Sequence, residues 1–328
     1  MVRLLWGGVR CYATRFFLTG MPWDLACPAC HAALAVTDTH QRRCAQCAVT
    51  YRRKDGIWRF LFEGREQAFE SFVVQYETVR SAEGRRVQNP AHLRALPFRE
   101  WSGKRRYEWS IRARSFEALI KHVVKPREQG LARPLRILDM GSGLGWLAYR
   151  LALRGNEVAA VDIVTNGFDG LGVWMHYDRE FLPVQAEFDR LPFRDQTVDL
   201  VVYNASFHYA VSFASTLREA LRVLGPGGRI VILDTPIYRD PSSGRAMVRE
   251  REDAFESRYG FRGNAIASEG FLTYDRLDSL EREIGVRWNI LEPWYGVRWW
   301  CKPWVARLRG SREPARFGLA VGRRAVES

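Results

Sequence analysis

Short apolar runs alternate with longer amphipathic stretches through the second half of this chain. Leu135–Leu138, Val158–Val161 and Val198–Tyr203 have the length and apolar content of buried strands. A segment with helical periodicity follows the first run and ends at Gly155. Alternating strands and helices are typical of a doubly wound α/β fold with a mostly parallel sheet.

The last quarter of the chain continues this alternation. A capped helix is predicted to begin at Thr273 and to end at Gly285. Strands are predicted near Val286–Leu291 and Phe317–Val321, and both would add to the same sheet.

Two amphipathic helices are predicted ahead of the first sheet strand. Apolar and aromatic residues recur every three or four positions from Phe69 to Val79 and again from Trp109 to Val123, and the second helix is predicted to stop before Pro126. Four residues nearby are candidates for pocket, lid or core positions: Trp101, Tyr107, Trp109 and Arg112.

A glycine-rich turn joins the first predicted strand to its helix. Its glycines are spaced G-x-G-x-G, at Gly141, Gly143 and Gly145, whereas a dinucleotide fold requires G-x-G-x-x-G. Asp139 precedes the turn and would repel a phosphate, but its carboxylate can hold an ammonium group. Asp162 ends the next strand, where an acid accepts hydrogen bonds from ribose hydroxyls in nucleotide-binding folds.

This turn and the two acids resemble motif I and the following acidic position of the class I S-adenosylmethionine-dependent methyltransferases, of the methyltransferase domain 11/25 type. The segment R-V-L-G-P-G-G before a predicted strand fits the same family. The resemblance implies a Rossmann-like seven-stranded sheet with helices on both faces. It also implies the following S-adenosylmethionine-binding residues: Asp139, Gly141, Ser142, Gly143, Gly145, Asp162, Ile163, Glu187, Phe188, Asp189 and Asn204.

Two positions of this set are assigned by register against the family's motifs. Glu187 lies four residues before L-P-F, where the family places an acid against the adenine amino group, with Asp189 as the second choice. Asn204 ends the strand at the position of motif IV, beneath the sulfonium and the acceptor. Asn204 and His208 are the candidate catalytic residues, and His208 would act either as a general base or as a packing residue beside the cofactor.

Four of the six cysteines form a C-x2-C pair, a gap of 13 residues and a second C-x2-C pair: Cys27, Cys30, Cys44 and Cys47. Two such pairs can close a tetrahedral zinc site, and the Asp55-Gly56 hairpin signal that follows suggests a zinc ribbon. A c-type haem site at C-P-A-C-H, disulfides and a thioredoxin-like redox pair are the competing interpretations. The ribbon resembles the Trm112 zinc domain, which implies a structural metal.

Composition and charge bear on the partners of the protein. The chain carries 50 basic and 37 acidic residues, for a net charge of +13, which suggests a negatively charged partner or reflects only a coding bias toward arginine. Four tryptophans interleaved with cations between residues 294 and 309 suit an anionic membrane interface or RNA, or pack on the sheet edge. No apolar run is long enough to span a bilayer and no signal peptide is evident, so we expect a cytoplasmic protein that is either free or peripheral at the inner membrane face.

These observations divide the chain into four regions: an extension or disordered arm at 1–20, a zinc ribbon at 21–62, a helical connector or lid at 63–128 and a methyltransferase domain at 129–328. Three functions are consistent with them. The first is methyl transfer to a small-molecule or lipid-linked acceptor. The alternatives are an RNA methyltransferase, for which an N-P-P-[YF] motif is lacking, and a non-catalytic partner protein that binds S-adenosylmethionine.

Overall fold

The structure, a computed structural model, describes residues 23–84, 89–260 and 266–325. The predicted extension at residues 1–20 lies outside the described residues. Strands in the described ranges are β1 (Ala35–Asp38), β2 (Gln41–Arg43), β3 (Thr50–Lys54), β4 (Ile57–Arg59), β5 (Arg136–Met140), β6 (Glu157–Asp162), β7 (Leu182–Gln185), β8 (Val198–Asn204), β9 (Leu224–Leu233), β10 (Ile237–Tyr238), β11 (Leu272–Thr273), β12 (Val286–Leu291) and β13 (Leu319–Arg324).

The helices of the same ranges are α1 (Arg65–Ala82), α2 (Pro90–Ala95), α3 (Arg106–Leu119), α4 (Lys125–Gly130), α5 (Trp146–Leu153), α6 (Phe213–Val223), α7 (Pro241–Tyr259), α8 (Tyr274–Ile284), α9 (Val297–Trp300) and α10 (Lys302–Leu308). None of the helices in the described ranges is both long enough and apolar enough to cross a bilayer.

Seven strands form the predicted α/β sheet, in the order β7-β6-β5-β8-β9-β13-β12. Strands β5 to β9 pair in parallel, and β13 enters antiparallel between β9 and β12. The carboxyl ends of β5, β6 and β8 therefore meet at one edge, where ligands bind in open α/β sheets. The predicted fold class is confirmed.

The ribbon strands extend this sheet instead of forming a separate small sheet. Strand β4 pairs in parallel with β7, with Trp58 opposite Val184, so that β1 to β4 continue the sheet to eleven strands. The first cysteine knuckle contacts the same region, because the Ala26 N–H donates to the Pro192 carbonyl at 3.0 Å and Leu25 bridges Phe193. The sequence had suggested only that a ribbon precedes the sheet.

Two apolar cores lie on opposite faces of the sheet. Neighbouring residues of β5 point to different cores, with Leu138 in one and Ile137 in the other, as the alternation of a strand requires. Helices α6 and α8 and most of the buried ribbon residues pack in the first core, and α3 and α5 pack in the second. Helices therefore cover both faces, as predicted.

The Asp55-Gly56 turn has the geometry predicted from its sequence. Both residues have positive φ angles, 52° and 78°, and they join β3 to β4 as a two-residue hairpin. Trp174, from the segment after β6, packs on this turn and donates its indole N–H to the Asp55 carbonyl at 3.3 Å. The hairpin tip is thereby fixed to the methyltransferase domain.

The helix expected to stop before Pro126 does not stop there. Helix α3 passes through a π-helical turn, Ile120–Val124, into α4, and Pro126 occupies the first turn of α4. A π turn bonds each amide one residue further back, which leaves room for a residue without an N–H.

By contrast, α8 begins after Thr273, whose hydroxyl accepts from the Arg276 N–H, and ends at Gly285, as predicted.

Candidate functional site

The glycine-rich turn is a tight loop held by backbone and side-chain contacts. Gly141, Gly143 and Gly145 all have positive φ angles, of 69°, 49° and 67°. A Cβ atom added at Gly141 would lie 2.5 Å from the Cβ of Ser206, so no larger residue fits there. The backbone of Gly141 and Gly143 lines a cavity at this edge of the sheet.

Asp162 closes the turn from the end of β6. Its carboxylate accepts the Gly143 N–H at 2.8 Å and the Val164 N–H at 2.9 Å. Burial raises the pKa of this carboxyl, and the backbone N–H groups oppose that shift. Each carboxylate oxygen keeps a further lone pair, so the predicted contact with ribose hydroxyls is compatible with these bonds.

Asp139 is almost fully buried at the end of β5. One carboxylate oxygen accepts the Ala148 N–H at 3.0 Å, and the other is buried without a partner among the described residues. Burial raises the pKa of Asp139 to about 7, and nearby Asp162 adds to the shift. An unpaired buried carboxylate oxygen is the feature that an ammonium group would satisfy.

Glu187 lies in an ion pair that the sequence did not predict. Arg65, the first residue of α1, donates to both carboxylate oxygens, at 2.8 and 2.6 Å. An adenine amino group would therefore share this carboxylate with a guanidinium. Phe188, beside it, is half-buried against the Tyr203 ring, Asp189 is exposed, and Ile163 is half-buried.

A cavity of about 570 Å³ opens at the carboxyl edge of the sheet. Five of the predicted site residues line it together: Gly141, Ser142, Gly143, Asn204 and His208. Helices α1, α3 and α7 supply other walls, including Phe72, Arg112 and Arg251. The remaining predicted cofactor residues lie outside the lining set. Of these, Asp162 bonds to the glycine turn, and Asp139 bonds to the Ala148 N–H of α5.

His208 is buried at the cavity wall, and its Nδ1 atom has no partner among the residues that the structure describes. Burial, together with Arg251 and Arg112, lowers the pKa of His208 to about 3. An imidazole with so low a pKa is a weak base, which favours a hydrogen-bonding role over proton removal. Asn204, at the end of β8, likewise has a buried and unpaired Oδ1 atom in the described part of the chain.

Asp234 is a cavity residue that the sequence analysis missed. It follows β9 with a φ of 53°, an uncommon conformation for a residue with a side chain. Ser115 donates to one of its carboxylate oxygens at 2.5 Å, and the Tyr295 hydroxyl lies 2.9 Å from the Ser115 hydroxyl. The other oxygen is buried and has no partner among described residues, and burial raises the pKa of this carboxyl.

Of the four candidate pocket or lid residues near α3, only Arg112 lines this cavity. Trp109 is buried against Trp146, Tyr107 lies under the guanidinium of Arg298 at 4.2 Å, and Trp101 is exposed. The amphipathic pattern of α3 therefore mainly reflects side chains that are buried in the core.

Helix α1 roofs the glycine turn, as expected for the connector. Its Arg80 forms a largely buried ion pair with Asp169, at 3.2 Å, in the segment after β6. Tyr76 of the same helix lies near Gly143, and burial raises the pKa of Tyr76 to about 12. These contacts fix α1 over the site.

The four predicted metal ligands converge. The Sγ atoms of Cys27, Cys30, Cys44 and Cys47 all lie within 4.8 Å of one another. Two of the separations are 3.9 Å, for Cys27 and Cys47, and 3.5 Å, for Cys30 and Cys44. Four sulfurs about 2.3 Å from one tetrahedral ion would stand about 3.8 Å apart, so the cluster fits zinc in size and donor type.

Comparison with known proteins agrees with this geometry. Residues 138–232 match the model of a family described as a methyltransferase domain. The chain is 32% identical over 166 residues to malonyl-[acyl-carrier protein] O-methyltransferase of Geobacter sulfurreducens, covering 46% of this chain and 60% of that protein. It is 31% identical over 141 residues to demethylmenaquinone methyltransferase of Thermus thermophilus, covering 40% and 61%.

Among solved structures, this chain is similar to 1,6-didemethyltoxoflavin-N1-methyltransferase of Burkholderia thailandensis. The TM-score is 0.48 at 16% sequence identity, and the match covers 89% of this chain and 99% of that chain. The chain spans less than two thirds of the length of the curated relatives described above.

The strand order and the glycine turn define a class I methyltransferase fold. Residues 138–232 match the methyltransferase domain family, and the fold is that of the S-adenosylmethionine-dependent class I methyltransferases. A four-cysteine ribbon lies ahead of this domain in the sequence and beside β7 in the sheet.

Proposed function

We propose that this protein transfers a methyl group from S-adenosylmethionine to a small-molecule or lipid-linked acceptor. The observation that carries the proposal is the shared cavity, in which Gly141 to Gly143 and the residues Asn204, His208 and Asp234 form adjoining walls. Its volume of about 570 Å³ and its mixed lining of aromatic and polar side chains suit a compact acceptor beside a cofactor.

The cofactor fit rests on the unpaired atoms of the chain. The free oxygen of Asp139 is suited to the ammonium group, and Asp162 to the ribose hydroxyls. Glu187 and Phe188 would face the adenine, with Arg65 retained as a neighbour of the carboxylate. When bound, the sulfonium supplies the electrophilic methyl group, so catalysis depends mainly on positioning the acceptor.

Asp234 is the residue that we assign to the acceptor. Its second oxygen, which has no partner among the described residues, can accept a hydrogen bond from an acceptor O–H or N–H. Ser115 donates to the first oxygen and is itself hydrogen-bonded to the Tyr295 hydroxyl. The carboxylate can then receive the proton that the nucleophile loses. Asn204 and His208 would orient the same acceptor through their unpaired Oδ1 and Nδ1 atoms.

The acceptor class is supported by the names of the relatives. Those proteins act on malonyl-[acyl-carrier protein] and on demethylmenaquinone. RNA is the alternative acceptor, and its supporting observation is the exposed basic residues of the ribbon, such as Arg43 and Arg52. The motif IV position, N-A-S-F, favours the first class.

We assign the four cysteines to one structural zinc ion, because a site with four protein ligands has no open position for catalysis. Unbridged cysteines that converge on a metal are typical of a reducing compartment, so we place the protein in the cytoplasm.

Calorimetric titration with S-adenosylmethionine tests the cofactor. Asp162→Ala should abolish measurable binding, whereas Asp278→Ala, which changes an exposed acid on α8, should leave it unchanged. The same proteins are then incubated with labelled cofactor and with extracts of small molecules, lipids or RNA. Label in RNA alone would replace the proposed acceptor class, and absence of binding by folded wild-type protein would overturn the proposal.

A further inference from the structure

An exposed apolar surface lies on α9 and α10. Six of the fourteen large hydrophobic side chains that are exposed in the described ranges fall within this one segment. We call them the tryptophan face: Trp294, Val297, Trp300, Trp304, Val305 and Leu308. Trp300 is 59% exposed and Leu308 is 88% exposed, so these side chains are not core residues at the sheet edge.

The segment that bears this face is anchored from its inner side. Trp299 packs on Phe317, with ring centroids 5.0 Å apart, and on Tyr295. Arg114 of α3 donates to the Trp294 carbonyl at 2.9 Å. Because the inner aromatic residues attach the segment to the domain, the outer residues are held toward solvent by the fold.

The segment that bears the tryptophan face is basic. Residues 294–311 contain Arg298, Lys302, Arg307 and Arg309 and no acidic residue. Within the described parts of the chain, none of these four cations forms an ion pair, although Arg298 and Lys302 lie over the Tyr107 ring. The segment therefore presents apolar groups and uncompensated positive charge together.

We propose that the tryptophan face docks this protein on an anionic lipid surface. Indole rings settle at the depth of lipid headgroups, and basic side chains beside them pair with lipid phosphates. RNA would offer bases to the indoles and phosphates to the cations, but it offers no apolar partner for Val297, Val305 and Leu308. The aliphatic part of the face favours the lipid.

The docking face is close to the cavity. Phe317 lines the cavity on one side and packs against Trp299 on the other. Two packed rings, Phe317 and Trp299, thus connect the cavity wall with the segment that bears the tryptophan face. The proposal needs no turnover and is tested without the cofactor, so its failure and a failure of the methyltransferase proposal are separate results.

Sedimentation with vesicles tests the apolar part of the face. Wild-type protein should bind phosphatidylglycerol vesicles and bind phosphatidylcholine vesicles much more weakly. Trp300→Ala/Trp304→Ala should lose at least about tenfold in affinity, and brominated acyl chains should quench less of its tryptophan emission. Met175→Ser, which changes an equally exposed side chain elsewhere, is the matched control. Equal binding by the tryptophan variant and wild type would overturn the proposal.

A charge variant tests the basic part. Arg307→Gln/Arg309→Gln should bind phosphatidylglycerol vesicles roughly 25-fold more weakly, about fivefold per charge, and Arg43→Gln/Arg52→Gln in the ribbon should not. Single-stranded RNA is run beside the vesicles. If RNA binds through the tryptophan face and vesicles do not, the lipid proposal is wrong and this face belongs to a nucleic acid.

Discussion

Asp139 is a buried carboxyl that destabilises the fold, and it is the residue that we propose for binding the ammonium group of the cofactor. Its carboxyl is buried, and one oxygen has no partner within the described ranges. A pKa of about 7 means that the folded protein holds a proton there over a wide pH range. A cationic ligand would favour the ionised form. The residue therefore links proton release to cofactor binding.

We predict that binding of S-adenosylmethionine releases a proton below pH 7. The folded-state pKa lies above the ordinary value of 3.8, so Asp139 is protonated at pH 6 and must ionise when the ammonium group binds. Affinity should rise by up to about tenfold per pH unit as the pH increases toward 7, and should then level off.

Calorimetry at pH 6 in buffers of different ionisation enthalpy measures the proton count. In Asp139→Asn the affinity should be lower and the released proton should be missing. Equal proton release by the variant and the wild type would assign the ionisation to another group.

We predict that Asp234 matters more than His208 for methyl transfer. Asp234→Asn should lower transfer of labelled methyl groups into the extract by about 100-fold while cofactor affinity stays unchanged, because the residue faces the acceptor. His208→Gln should retain more activity, since an imidazole with a pKa of about 3 is a weak base. Full activity of Asp234→Asn would refute the assignment, and Ser115→Ala should give an intermediate loss.

At the scale of elements, local patterns predicted much of this fold. The strand ends at Asp139, Asp162 and Asn204 meet at one edge because parallel strands deliver their carboxyl ends together. The Asp55-Gly56 hairpin and the start of α8 after Thr273 follow from local preferences. Such features depend on residues that are close in sequence.

Long-range contacts could not be predicted in the same way. The Arg65 and Glu187 ion pair joins residues 122 positions apart, and Ser115 is 119 positions from Asp234. No periodicity encodes such pairs, because either partner could stay solvated on its own. For the same reason the pairing of β4 with β7, which extends the sheet, was not foreseen.

We predict that the hairpin contact with Trp174 is sensitive to one methyl group. A Cβ atom at Gly56 would lie 2.3 Å from the Trp174 ring, whereas one at Gly103 would meet nothing within 4 Å. The φ angles are similar, 78° and 73°, so backbone strain is matched. Gly56→Ala should therefore lower the free energy of unfolding by about 1–3 kcal/mol more than Gly103→Ala in urea titrations. Equal losses of unfolding free energy in the two variants would show that the Trp174 ring moves aside without cost.

We predict that zinc stabilises the methyltransferase domain as well as the ribbon. The first knuckle bonds to Pro192 and packs on Phe193, next to the predicted adenine segment. Cys44→Ser should lose the bound zinc, lower the melting temperature on the order of 10 °C and weaken cofactor binding. Cys301→Ser, outside the cluster, is the control. Metal analysis, thermal unfolding and calorimetry measure the zinc content, the melting temperature and the cofactor affinity. Zinc loss without a change in cofactor affinity would show that the metal stabilises the ribbon alone.

At the scale of the whole molecule, ribbon and domain share one sheet and one apolar core. Tyr51 and Trp58 of the ribbon lie in the same buried cluster as Val184 and Phe193. We therefore predict one unfolding transition. Zinc release, followed with a coloured chelator, and loss of far-ultraviolet circular dichroism should share a single denaturant midpoint. Zinc release at a clearly lower concentration would indicate an independently unfolding ribbon.

The pairing of β4 with β7 also affects how the molecule assembles. Residues 60–64 join β4 to α1, and Arg65 and Arg80 attach α1 to the methyltransferase domain. The covalent link therefore presents the ribbon to its edge of the sheet at an effective concentration on the order of millimolar. Docking is then unimolecular and insensitive to dilution. A ribbon supplied as a separate chain would need a higher affinity for this edge of the sheet, because it would lack the high local concentration that the covalent link provides.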